Sequence, residues 1–187
     1  MNEAHLEFCA SPEWRTMVET MVLPAAIGDA DLGDDVIEVG PGPGFTTDVL
    51  RTRAAQLTAV EIDPSLAAAL EERLAGENVR VICGDATALD LESDRFTGAT
   101  SFNMLHHVPT RVAQDQLFSE VARVLRSGGL FIAADSVGSE ELRLFHEGDT
   151  YNPIDPETLA AWLATAGFEA IDVHLYDLGW TCTARAI

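Results

Sequence analysis

The residues with the means to do chemistry gather at four places in the chain. Gly40-Pro41-Gly42-Pro43-Gly44 follows the apolar, β-branched run Val36-Ile37-Glu38-Val39. Glycine tolerates positive φ and has no Cβ, and proline stiffens the path between, so the loop forms a cradle that a ligand can approach at backbone distance. Glu61 and Asp63 frame Ile62 at the end of a second strand-like run. An acid about twenty residues beyond such a loop can accept hydrogen bonds from ribose hydroxyls, and Ile62 offers an apolar face to a purine. Gly84-Asp85-Ala86 ends a third run, where Asp85 can accept from an exocyclic amine and Ala86 leaves room for the ring. His107, beside His106, and His146 are the candidate proton acceptors.

The spacing argues against a dinucleotide. That fingerprint wants glycine at its first, third and sixth positions. Here the sixth position is Phe45, the fifth is Gly44, and Glu38 and Asp48 flank the loop with negative charge that a diphosphate would meet unfavourably. Three successive strand ends nevertheless suit a nucleoside. No third ligand lies at useful spacing from His106 and His107, so no metal site is expected.

Elements that alternate between strand and helix patterns must position these residues. Ser11-Pro12-Glu13 has the form of a helix start, and Trp14, Met17, Val18, Met21 and Val22 then recur along one helical face, predicting a helix packed on the core. Strands are predicted at 36–39, 57–62, 79–83, 96–102, 130–134, 170–175 and 179–186. Helices are predicted at 44–53, after Asp63-Pro64, at 111–125 (Val112, Leu117, Val121, Val124, Leu125, ended by Ser127-Gly128-Gly129) and after Asp155-Pro156. The fold class is α/β. A doubly wound, mostly parallel Rossmann-like sheet of about seven strands is expected, with a leading N-terminal helix and an antiparallel C-terminal hairpin.

Composition narrows the partners. The chain has 187 residues, 31 acidic against 11 basic, and every basic residue is arginine, for a formal charge of −20. Such a surface repels phosphate backbones and anionic membranes, so neither nucleic acid nor a lipid surface is expected as a partner. No apolar run reaches the ~20 residues that span a bilayer. The N-terminus lacks the basic n-region of a secretory signal, and Cys9, Cys83 and Cys182 are too widely spaced for a disulfide framework. A cytoplasmic protein is expected.

Five motifs in order, Glu38-x-Gly40-x-Gly42-x-Gly44, Val60-Glu61-Ile62-Asp63, Gly84-Asp85-Ala86, Phe102-Asn103-Met104-Leu105-His106-His107 and Leu125-Arg126-Ser127-Gly128-Gly129, resemble the class I S-adenosylmethionine-dependent methyltransferases. The resemblance covers residues 34–136. It implies S-adenosylmethionine as cofactor, with Gly40, Pro41 and Gly42 beneath its methionine part and Gly44 closing the loop. Glu38 would orient the ammonium directly or through water. Glu61 would hold the ribose, Ile62 would lie on adenine, and Gly84, Asp85 and Ala86 would read its edge. Asn103 and Met104 would stand beside the methionine moiety and the methyl group. An acidic loop suits a sulfonium and an ammonium better than a diphosphate.

The same resemblance divides one domain, residues 1–187, into an N-terminal helical segment (1–30), a cofactor-binding core (34–136) and a substrate-side loop, helix and hairpin (137–187). Residues 136–153 mix Leu142, Leu144 and Phe145 with His146, Glu147, Asp149 and Tyr151, as a substrate element would. Strand 4 ends without the Asn-Pro-Pro-aromatic motif of enzymes that methylate nucleic-acid bases. It also lacks the acid of the catechol-type metal enzymes. A small-molecule methyl acceptor is expected, with His107 or His146 as base. The alternatives are a cofactor-binding module without transferase activity and, less favoured, a nicotinamide-binding protein.

Overall fold

The computed structural model describes residues 2–187, without the side chains of residues 3 and 4. Asn2 and Ser11 cap two short helices, α1 (Glu3–Cys9) and α2 (Pro12–Met17), by accepting from the backbone N–H of His5 and Trp14. A π-helical turn (Val18–Val22) and α3 (Leu23–Ala26) follow. The single helix expected here is thus three pieces, and α1 was not foreseen. The wider π turn puts Val18 and Val22 in the core while Met21, read as part of the apolar face, is exposed.

The main body alternates as expected. It runs β1 (Asp35–Val39), α4 (Phe45–Leu50), β2 (Gln56–Glu61), α5 (Pro64–Arg73), β3 (Val79–Cys83), β4 (Phe96–Phe102), α6 (Arg111–Val124), β5 (Leu125–Asp135), α7 (Glu140–Phe145), α8 (Pro156–Ala166), β6 (Phe168–Tyr176) and β7 (Gly179–Ala186). One seven-stranded sheet has the order β3-β2-β1-β4-β5-β7-β6. β1 to β5 pair in parallel, and β7 lies antiparallel between β5 and β6. Strand order reverses between β1 and β4, which opens a crevice at their carboxyl ends.

Period-2 alternation divides the core. Ile37 and Val39 point to the face covered by α6 and α8, with Phe118, Phe131 and Trp180. Val36 points to the other face, with Val22, Leu50 and Ile132 beneath the N-terminal helices and α4. α6 ends within a residue of its expected end, but β5 begins at Leu125 and not at Leu130 as expected. Leu125 already pairs with Phe96, and a register shift between Phe96 and Gly98 absorbs Ser127-Gly128-Gly129 within β5. Val112, expected on the apolar face of α6, is 65% exposed, and the buried position is Gln114, whose Nε2 donates to the carbonyls of Leu105 and Asn152.

The hairpin turn between β6 and β7 bears on the crevice. Gly179 has φ 153°, and a Cβ there would overlap the carbonyl of Asp135 at the end of β5. Gly179→Ala is expected to lower stability by roughly 3 kcal/mol through overpacking and backbone strain. A shift of the urea unfolding midpoint at unchanged slope checks this.

Candidate functional site

The glycine loop leaves β1 with Gly40 N–H donating to the Val60 carbonyl (2.9 Å) and closes with Gly44 N–H donating to Pro41 (3.0 Å). Gly40, Gly42 and Gly44 all have positive φ, 70°, 55° and 88°. Their surroundings differ. A Cβ on Gly40 would overlap Met104, and one on Gly44 would overlap Leu70 and Arg73 of α5, while Gly42 faces open space. Gly42 is therefore the glycine that leaves room for a ligand, and Gly40 and Gly44 are required by neighbours within the protein.

Above the loop lies a cavity of about 790 Å³. Gly40, Pro41, Gly42, Glu61, Ile62, Gly84, Asp85, Ala86, Asn103, Met104, His107 and His146 all line it. Glu38 and Gly44, expected to touch a cofactor, do not. Gly44 is buried as the N-cap of α4. Glu38 shares the sheet face of Val36, toward α4, and its two oxygens accept from the hydroxyls of Thr46 and Thr47, the latter at 2.7 Å. Glu38 therefore acts through Thr46, which lines the cavity, as a positioning residue. Burial pushes its carboxyl up to about 7, against the two threonine hydrogen bonds that favour the charged form.

At the second strand end, Glu61 is buried and its oxygens accept from Gly42 N–H and Asp63 N–H, each at 2.9 Å. The acid thus holds the loop and the start of α5 together. Ile62 beside it is 66% exposed, an apolar face turned to the cavity. Asp85 is exposed, with one oxygen accepting from Thr87 N–H at 2.8 Å.

The far wall is built from elements distant in sequence. After β4, Asn103 takes φ 51°, and a 3-10 turn (Leu105–His107) presents two imidazoles whose ring centroids lie 4.3 Å apart. His106 N–H donates to the buried Asp135 at 3.0 Å, and its Nδ1 lies 2.5 Å from the other Asp135 oxygen. His5 from α1 and His146 after α7 complete the group, 4.4 Å apart by centroid. Burial lowers the pKa of His106, but the attraction of Asp135 outweighs it and the net shift is upward. Burial and the neighbouring imidazoles push His107 down to about 3 and His5 down to about 4, and burial also lowers His146. Burial thus lowers the basicity of both His107 and His146, the two expected bases.

α1 and α2 roof the cavity with Leu6, Phe8, Trp14 and Met17. Polar contacts tie this roof to the body. Asn2 Nδ2 donates to the carbonyls of Phe145 and Glu147, and Arg15 pairs with Asp48 of α4 at 2.9 Å.

Residues 37–133 match the methyltransferase-domain family. The ubiquinone biosynthesis O-methyltransferase of Xanthomonas campestris pv. campestris is 31% identical over 172 residues, covering 82% of this chain and 70% of that protein. The chain belongs to the class I S-adenosylmethionine-dependent methyltransferases. Ribosomal RNA small subunit methyltransferase A of Moorella thermoacetica is 52% identical, but over 61 residues that make up 32% of this methyltransferase and 21% of the relative. Among solved structures, a protein of Pyrococcus horikoshii OT3 superposes with TM-score 0.78 at 19% identity over 96% of this chain and 94% of its own.

The residues present fit this methyltransferase's cofactor, S-adenosylmethionine. Open space over Gly42, a buried acid at the second strand end and an exposed aliphatic face beside it meet the needs of a positively charged nucleoside. Sequence reasoning missed His5, Asp135, Thr46 and the roof. Asn2, three residues before His5, is an N-cap signal that could have revealed α1. No local spacing links His5 or Asp135 to His106.

Glu38 makes stability depend on pH in a defined direction. Its folded pKa of about 7 lies above the reference value of 4.5, so the folded state holds the extra proton between these values. The stability associated with that proton is present below about 4.5 and lost as pH rises through about 7. Glu38→Gln should match the parent near pH 4.5 and be more stable at pH 8, by on the order of 3 kcal/mol. Urea unfolding of both proteins across this range measures the difference, and a constant gap would remove Glu38 as its source.

Proposed function

We propose that the chain transfers the methyl group of S-adenosylmethionine, by in-line displacement, to a small-molecule acceptor held under the α1–α2 roof. The observation that carries this reading is the continuity of one cavity from Gly42 and Glu61 to the apolar wall of Leu6, Phe8, Trp14 and Met17. A compartment of about 790 Å³ falls within the range of small-molecule sites. The charge of −20 weighs against a nucleic-acid substrate, as does the shortness of the alignment with the ribosomal RNA enzyme. Free Cys9, Cys83 and Cys182 support a reducing, cytoplasmic setting.

The cofactor supplies an already activated methyl group, so the protein's task is alignment and exclusion of water. In this reading Glu61 accepts from the ribose hydroxyls with the lone pairs left by Gly42 and Asp63. Ile62 lies against adenine, and Asp85 with the Ala86 amide reads its edge. Asn103 and Met104 fix the methionine end above Gly40 and Gly42, and Glu38 holds Thr46 in place there. With depressed basicity, His107 and His146 wall the acceptor compartment. An acceptor that arrives as an anion or a free amine fits this wall better than one needing a strong base.

Calorimetry with S-adenosylmethionine and its demethylated product should give one site per chain. Asp85→Ala should weaken binding about tenfold through lost hydrogen bonds, and Gly42→Val should abolish it by filling the open space. Incubation with methyl-labelled cofactor and a metabolite extract should then label a small molecule. Absence of heat with either ligand would refute cofactor binding, and tight binding without any labelled product would favour a non-catalytic binding module.

A further inference from the structure

We propose that His5, His106, His107 and His146 bind a divalent first-row transition metal of the zinc class, which clasps the N-terminal roof over the cavity. One ring nitrogen from each histidine lies within 4.8 Å of the corresponding nitrogens of the others. Nδ1 of His5 and Nε2 of His106, His107 and His146 are buried without a hydrogen-bond partner. Four unpartnered imidazole nitrogens converging on one point have no packing rationale, because an apolar side chain would fill the same space without an unsatisfied polar atom.

The other ring nitrogens of His106 and His146 are arranged as metal-binding histidines require. Such ligands hold the second nitrogen against a carboxylate or carbonyl, which sets the tautomer and aims the lone pair inward. Nδ1 of His106 lies 2.5 Å from Asp135, and Nδ1 of His146 lies 2.6 Å from the Leu142 carbonyl. Asp149 stands 3.9 Å from Nδ1 of His107. Zinc–nitrogen bonds of about 2.0–2.1 Å place tetrahedral ligands roughly 3.3 Å apart, so modest rotation of the four rings closes the set from its present spread. Imidazole without thiolate suits zinc, cobalt, nickel or iron over the hard cations.

The ligands come from α1, the turn after β4 and the end of α7, three segments with no continuous backbone between them. An ion there adds a further tie to the roof, inside the cavity and among buried side chains. The site does not depend on methyl transfer, since its occupancy is read without cofactor or acceptor.

The test uses untagged, chelator-stripped protein titrated with Co²⁺ and then Zn²⁺. One Co²⁺ per chain is expected by native mass spectrometry, with the intense visible absorption of a four-coordinate nitrogen site that Zn²⁺ bleaches. Asp135→Asn should weaken metal affinity about 10–100-fold, and His5→Ala and His146→Ala at least as much. His174→Ala, which alters the exposed histidine paired with Asp172, should bind like the parent. Bound Zn²⁺ should also slow proteolysis within α1 of the parent protein, a readout that does not require any variant to fold. Failure of the parent to take up stoichiometric Co²⁺, or equal affinity in His5→Ala, His146→Ala and the parent, would overturn the proposal.

Discussion

The reversal of strand order between β1 and β4 is the constraint from which the site follows. The connection that leaves β1 runs outward to β2 and the one that leaves its neighbour β4 runs the other way to β5, so neither covers the carboxyl ends at that point. The loop from β1 and the turn from β4 meet across the gap, and everything else is arranged around it. α4 and α5 brace one side through Gly44, while the end of β5 braces the other through Asp135. The roof closes what the sheet leaves open.

Two carboxylates carry most of the polar burden, and they are handled differently. Glu38 sits within a strand with only hydroxyl partners, so water-free surroundings push it toward its neutral form. Asp135, at a strand end, faces a histidine and two backbone N–H groups, and its charge raises the pKa of His106. One holds Thr46 and Thr47 at the start of α4 and the other holds the turn after β4. Leaving a buried polar atom unpartnered costs about 1–3 kcal/mol, which makes the orphaned imidazole nitrogens beside this ordered network notable.

Much of the sheet was legible because its signals are local. β3, β4 and β7 fall where alternation and turn residues put them, and the three strand-end motifs do converge on one cavity. The misread parts share a cause. The early start of β5 is set by Leu125 pairing with Phe96, a contact between distant residues that no local signal shows. The histidine group joins His5 to His146 through tertiary folding, so no spacing rule could find it. Glu38 looked ligand-facing because its place before the loop is visible in sequence, whereas the hydroxyls that occupy it, Thr46 and Thr47, read as ordinary helix residues.

The contact between Gly40 and Met104 carries a consequence for how the two halves of the crevice communicate. The thioether side chain occupies the notch that any Cβ on Gly40 would fill, so the glycine loop rests directly on the turn after β4. Methionine is the most pliable of apolar side chains, with three rotatable bonds and no branching. The joint is therefore compliant as well as tight. A shift of Met104 bears directly on the backbone at Gly40, with no relay of residues in between.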